Sequence, residues 1–257
     1  MGSARERIYG RNPVLETLRA NRRTGYSLQV AQGVELRGAL AEALELARTQ
    51  SIPVERIPRK ELDLLEGNHQ GVAMEVSPYP YAALSEILDR AGASGPNALV
   101  LVLDELQDPQ NLGSLLRTAE AVGVCGVIIP AHRSAGVTPA VVRASAGASE
   151  HLQVARHNLD QALRRLKDAG FWIAGLERDP QAQPLSAAAL DGRLAVVVGS
   201  EGSGLRRLVR EACDFLVRIP MHGRIDSLNA AVAGSIVLYT ARERQDANRI
   251  DATPESW

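Results

Sequence analysis

The sequence predicts an α/β protein, a parallel sheet with helices on both faces, preceded by a small α/β domain. Three observations predict it. From Ala98 onward, apolar runs such as "ALVLVLD", "GVIIP", "FWIAGLE" and "LAVVVG" alternate with amphipathic stretches. Strands apolar at every position, rather than at alternate ones, belong to a parallel sheet covered on both sides. Upstream, "SPYPYAALSEILDRAGASGPNA" supplies prolines, small residues and a short helix, as a linker does. The 257 residues suffice for two cores.

The elements follow in order. In the first domain, residues 1–78, "NPVLETLRAN", "ELRGALAEALELARTQ" and "RKELDLLEG" have helical periodicity, and "YSLQVA", "VERI" and "GVAMEVS" read as strands. Residues 79–96 form the expected linker. The second domain, 97–247, adds the helices "NLGSLLRTAEAVG", "TPAVVRASAGAS", "LDQALRRLKDAG", "LRRLVREAC" and "SLNAAVAGSIVLYTARERQ" between its apolar strands, which include "LQVAR" and "FLVRIP". Residues 248–257 read as a frayed tail.

Composition excludes several classes. No apolar run approaches the ~20 residues of a membrane span. Cys125 and Cys213 are too few and too far apart for a disulfide framework or a zinc site, and no His, Cys or carboxylate cluster has metal spacing. The opening "MGSARERIYG" lacks the charged-then-apolar order of a secretion signal, so the expected compartment is a reducing cytoplasm. A net charge of −1 is not that of a polycation. Lys60 and Lys167 are the only lysines, however, so the basic residues are almost all arginine, whose planar fork suits phosphate contact and base stacking. A high-GC genome would produce the same bias. More telling is the local cluster Arg5, Arg7, Arg11, Arg19, Arg22 and Arg23, set against only Glu6 and Glu16, because a phosphate backbone feels local patches.

Three turns after strands hold the candidate chemistry. "GSEGSGL", Gly199 to Leu205, lets backbone approach a ligand closely. The alternative is a plain strand-to-helix turn with Glu201 near a helix N-terminus. In "DPQNLGSLLR", Asn111 suits an N-cap, and Arg117 has the small Gly113 and Ser114 on the turn before it, so its guanidinium can lie back toward Asn111 and the strand end. In "RIPMHGRIDSLNAAVAG", Pro220 halts a strand, His222, Gly223 and Arg224 form a loop, Asp226 or Ser227 caps a long helix, and Asn229 falls in its first turn, facing the crevice. The lone His222 reads as a surface residue. A dinucleotide fingerprint, a phosphate-loop lysine and a nucleophile-elbow serine are all missing.

In order and spacing, "DPQNLGSLLRTAEAVG", "VVVGSEGSGL" and "IPMHGRIDSLNAAVA" resemble the three motifs of the SpoU (TrmH-like) family of SPOUT RNA methyltransferases. "IYGRNPVLETLRA" and "HQGVAMEV" are similar to the small RNA-binding domain of its ribosomal RNA ribose methyltransferases. The resemblance implies a carboxy-terminal trefoil knot, a rare exception to unknotted topology. It also implies a homodimer, S-adenosylmethionine as cofactor, and methyl transfer to a ribose 2'-hydroxyl. On these motifs the cofactor would meet the backbone of Gly199, Ile219 and Leu228, with Glu201, Pro220 and Asn229 nearby. Asn111, Arg117, Glu201, Ser227 and Asn229 would form the catalytic constellation.

An arginine stays protonated in nearly every protein environment. Arg117 is therefore expected to stabilise developing alkoxide charge rather than to act as a simple base. The expected partner is structured RNA, held by Arg5, Arg7, Arg11, Arg22, Arg23 and Arg224. A guanosine of large-subunit ribosomal RNA is the expected target, with transfer RNA as the rival. A non-catalytic RNA-binding or ribosome-assembly factor of the same fold is the alternative of a different class, and a nucleotide-cofactor oxidoreductase would need the missing fingerprint.

Overall fold

The computed structural model describes residues 4–65, 68–200 and 202–251. Its elements run β1 (Glu6–Tyr9), α1 (Arg11–Ala20), β2 (Gly25–Ala31), α2 (Ala39–Thr49), β3 (Val54–Ile57), α3 (Arg59–Leu62), β4 (Val72–Val76), α4 (Leu84–Ala93), β5 (Leu99–Leu103), α5 (Pro109–Ala121), β6 (Gly126–Pro130) and α6 (Pro139–Ala144). They continue with β7 (Val154–His157), α7 (Leu159–Asp168), β8 (Trp172–Leu176), β9 (Gln183–Pro184), β10 (Leu194–Val198), α8 (Arg207–Ala212), β11 (Phe215–Arg218) and α9 (Ala230–Asp251). The chain forms two units. One comprises Met1–Pro80 with Gly136–His151, the other Tyr81–Ala135 with Leu152–Trp257.

The first unit is a four-stranded sheet in the order β1-β4-β2-β3. Strand β4 runs antiparallel to β1 and β2, while β3 is parallel to β2. Ile8, Leu28, Val30 and Met74 are buried with Val14, Leu18 and Leu40 of the helices. β1, four residues with one buried position, carries no alternation detectable in the sequence.

The segment Gly136–His151 was expected in the second domain, yet it belongs to this unit through buried polar contacts. Arg23, whose side chain has no exposed surface, donates to Glu6 at 2.6 Å and to both carboxylate oxygens of Glu150 at 3.0 and 2.8 Å. The Tyr79 hydroxyl donates to the carbonyl of Ser149 at 3.0 Å. Arg22 donates to the carbonyls of Glu150 and Pro80, each at 3.1 Å. Burial pushes the Glu150 carboxyl above its ordinary range even though Arg23 pulls the other way. Arg23, expected on an RNA surface, is thus a structural residue, while Arg22 beside it stays half-buried: a buried carboxylate needs a cation beside it, and no hydropathy pattern announces which cation that is.

The second unit is a seven-stranded sheet, β7-β6-β5-β10-β8-β11-β9, parallel throughout. Every residue of β5, β6 and β10 is buried, as the unbroken apolar runs require. On one face Val100, Val102, Ile128, Ala195 and Val197 pack with Ile87 of α4, Leu163 of α7 and Val209 of α8. On the other lie α5 and α9, so close that a Cβ on Gly234 would fall 2.7 Å from Leu115 and 3.0 Å from Val198.

The short helix expected within the linker is α4, residues 84–93, and it packs into the core of the second unit rather than spanning between units. Ile87 is fully buried against Gly126, where a Cβ would fall 2.7 Å from its side chain. A one-turn-deep apolar face flanked by proline and glycine looks like a spacer in sequence and becomes core only once the sheet exists. α9 runs to Asp251, past the expected start of the tail at 248. From β5 the chain builds outward through β6 and β7, then crosses to β8 on the other side of β10. Such a switch point opens a crevice at the carboxyl ends of the strands.

Candidate active site

The glycine-rich loop leaves the carboxyl end of β10. Gly199 admits no side chain: a Cβ there would fall 2.4 Å from the carbonyl group of Gly204. Ser200 and Gly204 close on each other, with the Ser200 N–H donating to the Gly204 carbonyl at 3.2 Å, the reverse bond at 3.1 Å, and the Ser200 and Ser203 hydroxyls 2.6 Å apart. Gly204 takes the left-handed conformation, φ +66°, that the tight return requires.

Two carboxylates pin the loop from neighbouring strand ends. Asp104, after β5 and with no exposed surface, accepts the N–H of Arg206 at 2.8 Å and its Nε–H at 2.7 Å. Glu177, after β8, accepts the N–H of Leu205 at 3.1 Å. Glu201 lies outside the described residues.

A cleft of about 700 Å³ opens over this loop, lined by residues of 176–180, 198–204 and 218–233. Of the residues singled out from the sequence, Gly199, Ile219, Ser227, Leu228 and Asn229 line it. Pro220 does not, although its neighbours Ile219 and Met221 do. Sequence reasoning missed Glu177, Arg178 and Arg218 in the lining. The signal available for Glu177 was its place just after a buried strand, at the carboxyl end where parallel sheets bind ligands.

Asn229 joins the third motif to the first. Its Oδ1 accepts the N–H groups of Ala231 and Val232 at 2.9 and 3.2 Å, which makes it the N-cap of α9. Its Nδ2 donates to Oδ1 of Asn111 at 2.8 Å. The helix therefore starts later than the expected cap at Asp226 or Ser227. Asn111 is not a cap either. Asp108 caps α5, accepting the N–H of Gln110 at 2.9 Å, and Pro109 occupies the first helical position, where its missing N–H costs nothing. Asn111 is left buried inside the first turn, free to face Asn229.

Arg117, six residues on and about 240° around the helix from Asn111, stands exposed and has no hydrogen-bond or ion-pair partner among the described residues. It is outside the cleft lining. The other expected RNA contacts differ among themselves. Arg5 stacks on the Tyr26 ring at 4.4 Å and pairs with Glu75 at 3.1 Å, Arg7 donates to Gln29, and Arg11 donates to the Gln70 carbonyl at 3.3 Å. Arg224 is exposed. Cys213 lies outside the cleft lining, and burial pushes its thiol up to about 12, so it is no nucleophile at neutral pH.

A parallel sheet whose switch-point cleft is floored by glycine backbone and roofed by a capped helix defines an α/β enzyme for a nucleotide-sized ligand; 700 Å³ is within the range of such sites. Residues 98–239 match the model of the SpoU rRNA methylase family, and residues 7–82 match that of the RNA 2'-O ribose methyltransferase substrate-binding domain. The chain is similar to the Bacillus subtilis (strain 168) protein YacO, assigned to the TrmH family of tRNA/rRNA methyltransferases, at 40% identity over 96% of this chain and 98% of that one. Its fold is similar to the crystal structure of the SpoU methyltransferase AviRb from Streptomyces viridochromogenes, with a TM-score of 0.78 and 25% identity over 95% of this chain and 91% of that one. AviRb has also been solved in complex with S-adenosylmethionine, with a TM-score of 0.76 and 24% identity over 96% and 91% of the two chains.

The chain belongs to the SpoU rRNA methylase family. It is an S-adenosylmethionine-dependent RNA methyltransferase. The cleft suits that cofactor: side chains are excluded at Gly199, where a Cβ would meet backbone, and the carboxylates of Glu177 and Asp226 complement a cation.

Proposed function

We propose that this enzyme methylates a ribose 2'-hydroxyl, of a guanosine in large-subunit ribosomal RNA. The observation that carries the site assignment is the 2.8 Å bond from Asn229 to Asn111, because it brings the first motif to the rim of the cleft that the second and third motifs line. The match of residues 7–82 to a ribose methyltransferase substrate-binding domain supports the sugar as target. A folded first unit suits a large structured RNA, whose target nucleotide has to be splayed from a loop.

S-adenosylmethionine supplies an already activated methyl group on sulfur. The chain's task is then alignment, worth roughly 7–11 kcal/mol when both partners are held in attack geometry, and management of one proton. In this reading Asn111 and Asn229 orient the ribose, and Ser227 lies beside it in the cleft. The exposed Arg117 guanidinium meets the RNA from outside the cleft and holds a phosphate. Arg5, Arg7, Arg11 and Arg224 are its phosphate partners elsewhere. The carboxy-terminal segment is threaded through the glycine loop region as a trefoil knot.

The working form is a homodimer. Val232, Ile236 and Tyr239 follow one another along one stripe of α9 and are 48%, 37% and 50% exposed. A contiguous exposed apolar stripe marks an interface, and a second copy offers the same stripe in return.

The test is incubation with labelled S-adenosylmethionine and, separately, ribosomal RNA, ribosomal subunits and transfer RNA, followed by mapping. The expected product is 2'-O-methylguanosine in the large-subunit RNA. Label on a base, or on transfer RNA alone, would overturn the target, and no transfer to any RNA would favour a non-catalytic assembly factor.

A further inference from the structure

One carboxylate in the cleft belongs to none of the three motifs. Glu177 lies at the carboxyl end of β8, where it accepts the N–H of Leu205 at 3.1 Å through Oε2 and the N–H of Arg178 at 3.2 Å through Oε1. Both donors are uncharged amides. No arginine, lysine or histidine among the described residues forms an ion pair with it, so its negative charge is not neutralised by a neighbour. Nothing separates it from the glycine loop, since a Cβ on Gly204 would fall 2.6 Å from Oε1. Asp226 adds a second negative group to the lining, and Arg178 and Arg218 are its cations. Arg218 is turned aside, its Nε–H donated to the Ala182 carbonyl at 3.1 Å, and Arg178 is exposed.

We propose that Glu177 distinguishes the methyl donor from its spent product by charge, an assignment that rests on S-adenosylmethionine being the cofactor. S-adenosylmethionine and S-adenosylhomocysteine share the adenosine and the amino-acid end. They differ in one methyl group and in the positive charge on sulfur. On transfer the carbon–sulfur bond breaks with its electron pair left on sulfur, a carbon–oxygen bond forms, and the hydroxyl proton leaves. The sulfur is then neutral. A half-buried carboxylate without an ion-pair partner attracts the sulfonium form more strongly than the neutral thioether. Glu177 therefore favours loading of the donor and loses its hold on the product at the moment the product forms.

The experiment is calorimetric titration of the full chain, without RNA, with S-adenosylmethionine and with S-adenosylhomocysteine, for the parent, Glu177→Gln and Glu177→Asp. Gln keeps an acceptor for the Leu205 amide and removes the charge. It is expected to weaken donor binding by about tenfold, some 1.4 kcal/mol, and product binding by less than about twofold. Retained product binding also shows that the variant is folded. Asp keeps the charge and is expected to keep the parent's preference. Equal losses for the two ligands, or undiminished donor binding, would overturn the assignment. A parent chain that binds neither ligand would overturn the cofactor reading itself.

Discussion

Asp104 and Arg206 are joined twice: a carboxylate with no exposed surface takes both the backbone N–H and the Nε–H of the arginine, at 2.8 and 2.7 Å. The bond fixes the far end of the glycine loop to β5 while the near end is the continuation of β10, so the loop's shape is set by two adjacent strands rather than by its own flexible residues. Removing Asp104 leaves the part-buried Arg206 amide without its acceptor, which costs about 1 kcal/mol. Asp104→Ala is accordingly expected to lower thermal stability and to weaken S-adenosylmethionine binding together; a variant with normal cofactor affinity would show that the loop holds its shape alone.

Two glycines of the loop separate space from backbone conformation. Gly199→Ala drives a Cβ into the Gly204 backbone at 2.4 Å and is expected to abolish cofactor binding. At Gly202 nothing lies within 4 Å, but φ is +91°, so Gly202→Ala costs about 1–3 kcal/mol in strain and should leave binding measurable. Titration of both variants with S-adenosylmethionine checks the contrast.

Arg117 stands outside the cleft, so its loss should separate RNA binding from cofactor binding. Arg117→Ala is expected to raise the KM for RNA severalfold and slow methylation at limiting RNA, with cofactor affinity unchanged. Near-normal methylation by this variant at limiting RNA would remove Arg117 from the RNA contact.

The buried pair in the first unit behaves differently from a surface ion pair. Arg23→Met strands the carboxylate of Glu150, at 1% side-chain exposure, and is expected to cost about 3–5 kcal/mol. Adding Glu150→Gln should recover a large part of that loss. Denaturant unfolding of the single and double variants measures it, and additive effects would mean that the two side chains do not act as a pair.

Tyr79 carries a pH dependence. Burial, its largest cause, pushes the hydroxyl from 10.0 up to about 12. The folded state keeps its proton where the unfolded chain releases it, so the contribution is fully present below pH 10 and is lost as pH rises through the window between 10 and about 12. The parent is expected to lose stability relative to Tyr79→Phe across that window, by about 2 kcal/mol in order of magnitude. Parallel denaturation curves of the two proteins at the ends of the window would disprove it.

Local chemistry settled a good part of this protein. Unbroken apolar runs specified buried parallel strands because hydropathy records burial directly, and glycine spacing marked the loop at 199–204 because only glycine tolerates its contacts and angles. Asn229 was legible as a residue at a helix start, though not as the cap itself. The fold decided the rest. The bond between Asn229 and Asn111 spans 118 residues, and that between Arg23 and Glu150 spans 127. Such pairings have no period and no composition. An arginine bound for a buried carboxylate is spelled like one bound for RNA, and a glutamate at a strand end like any surface acid, until packing brings a partner to one and leaves the other facing the cleft.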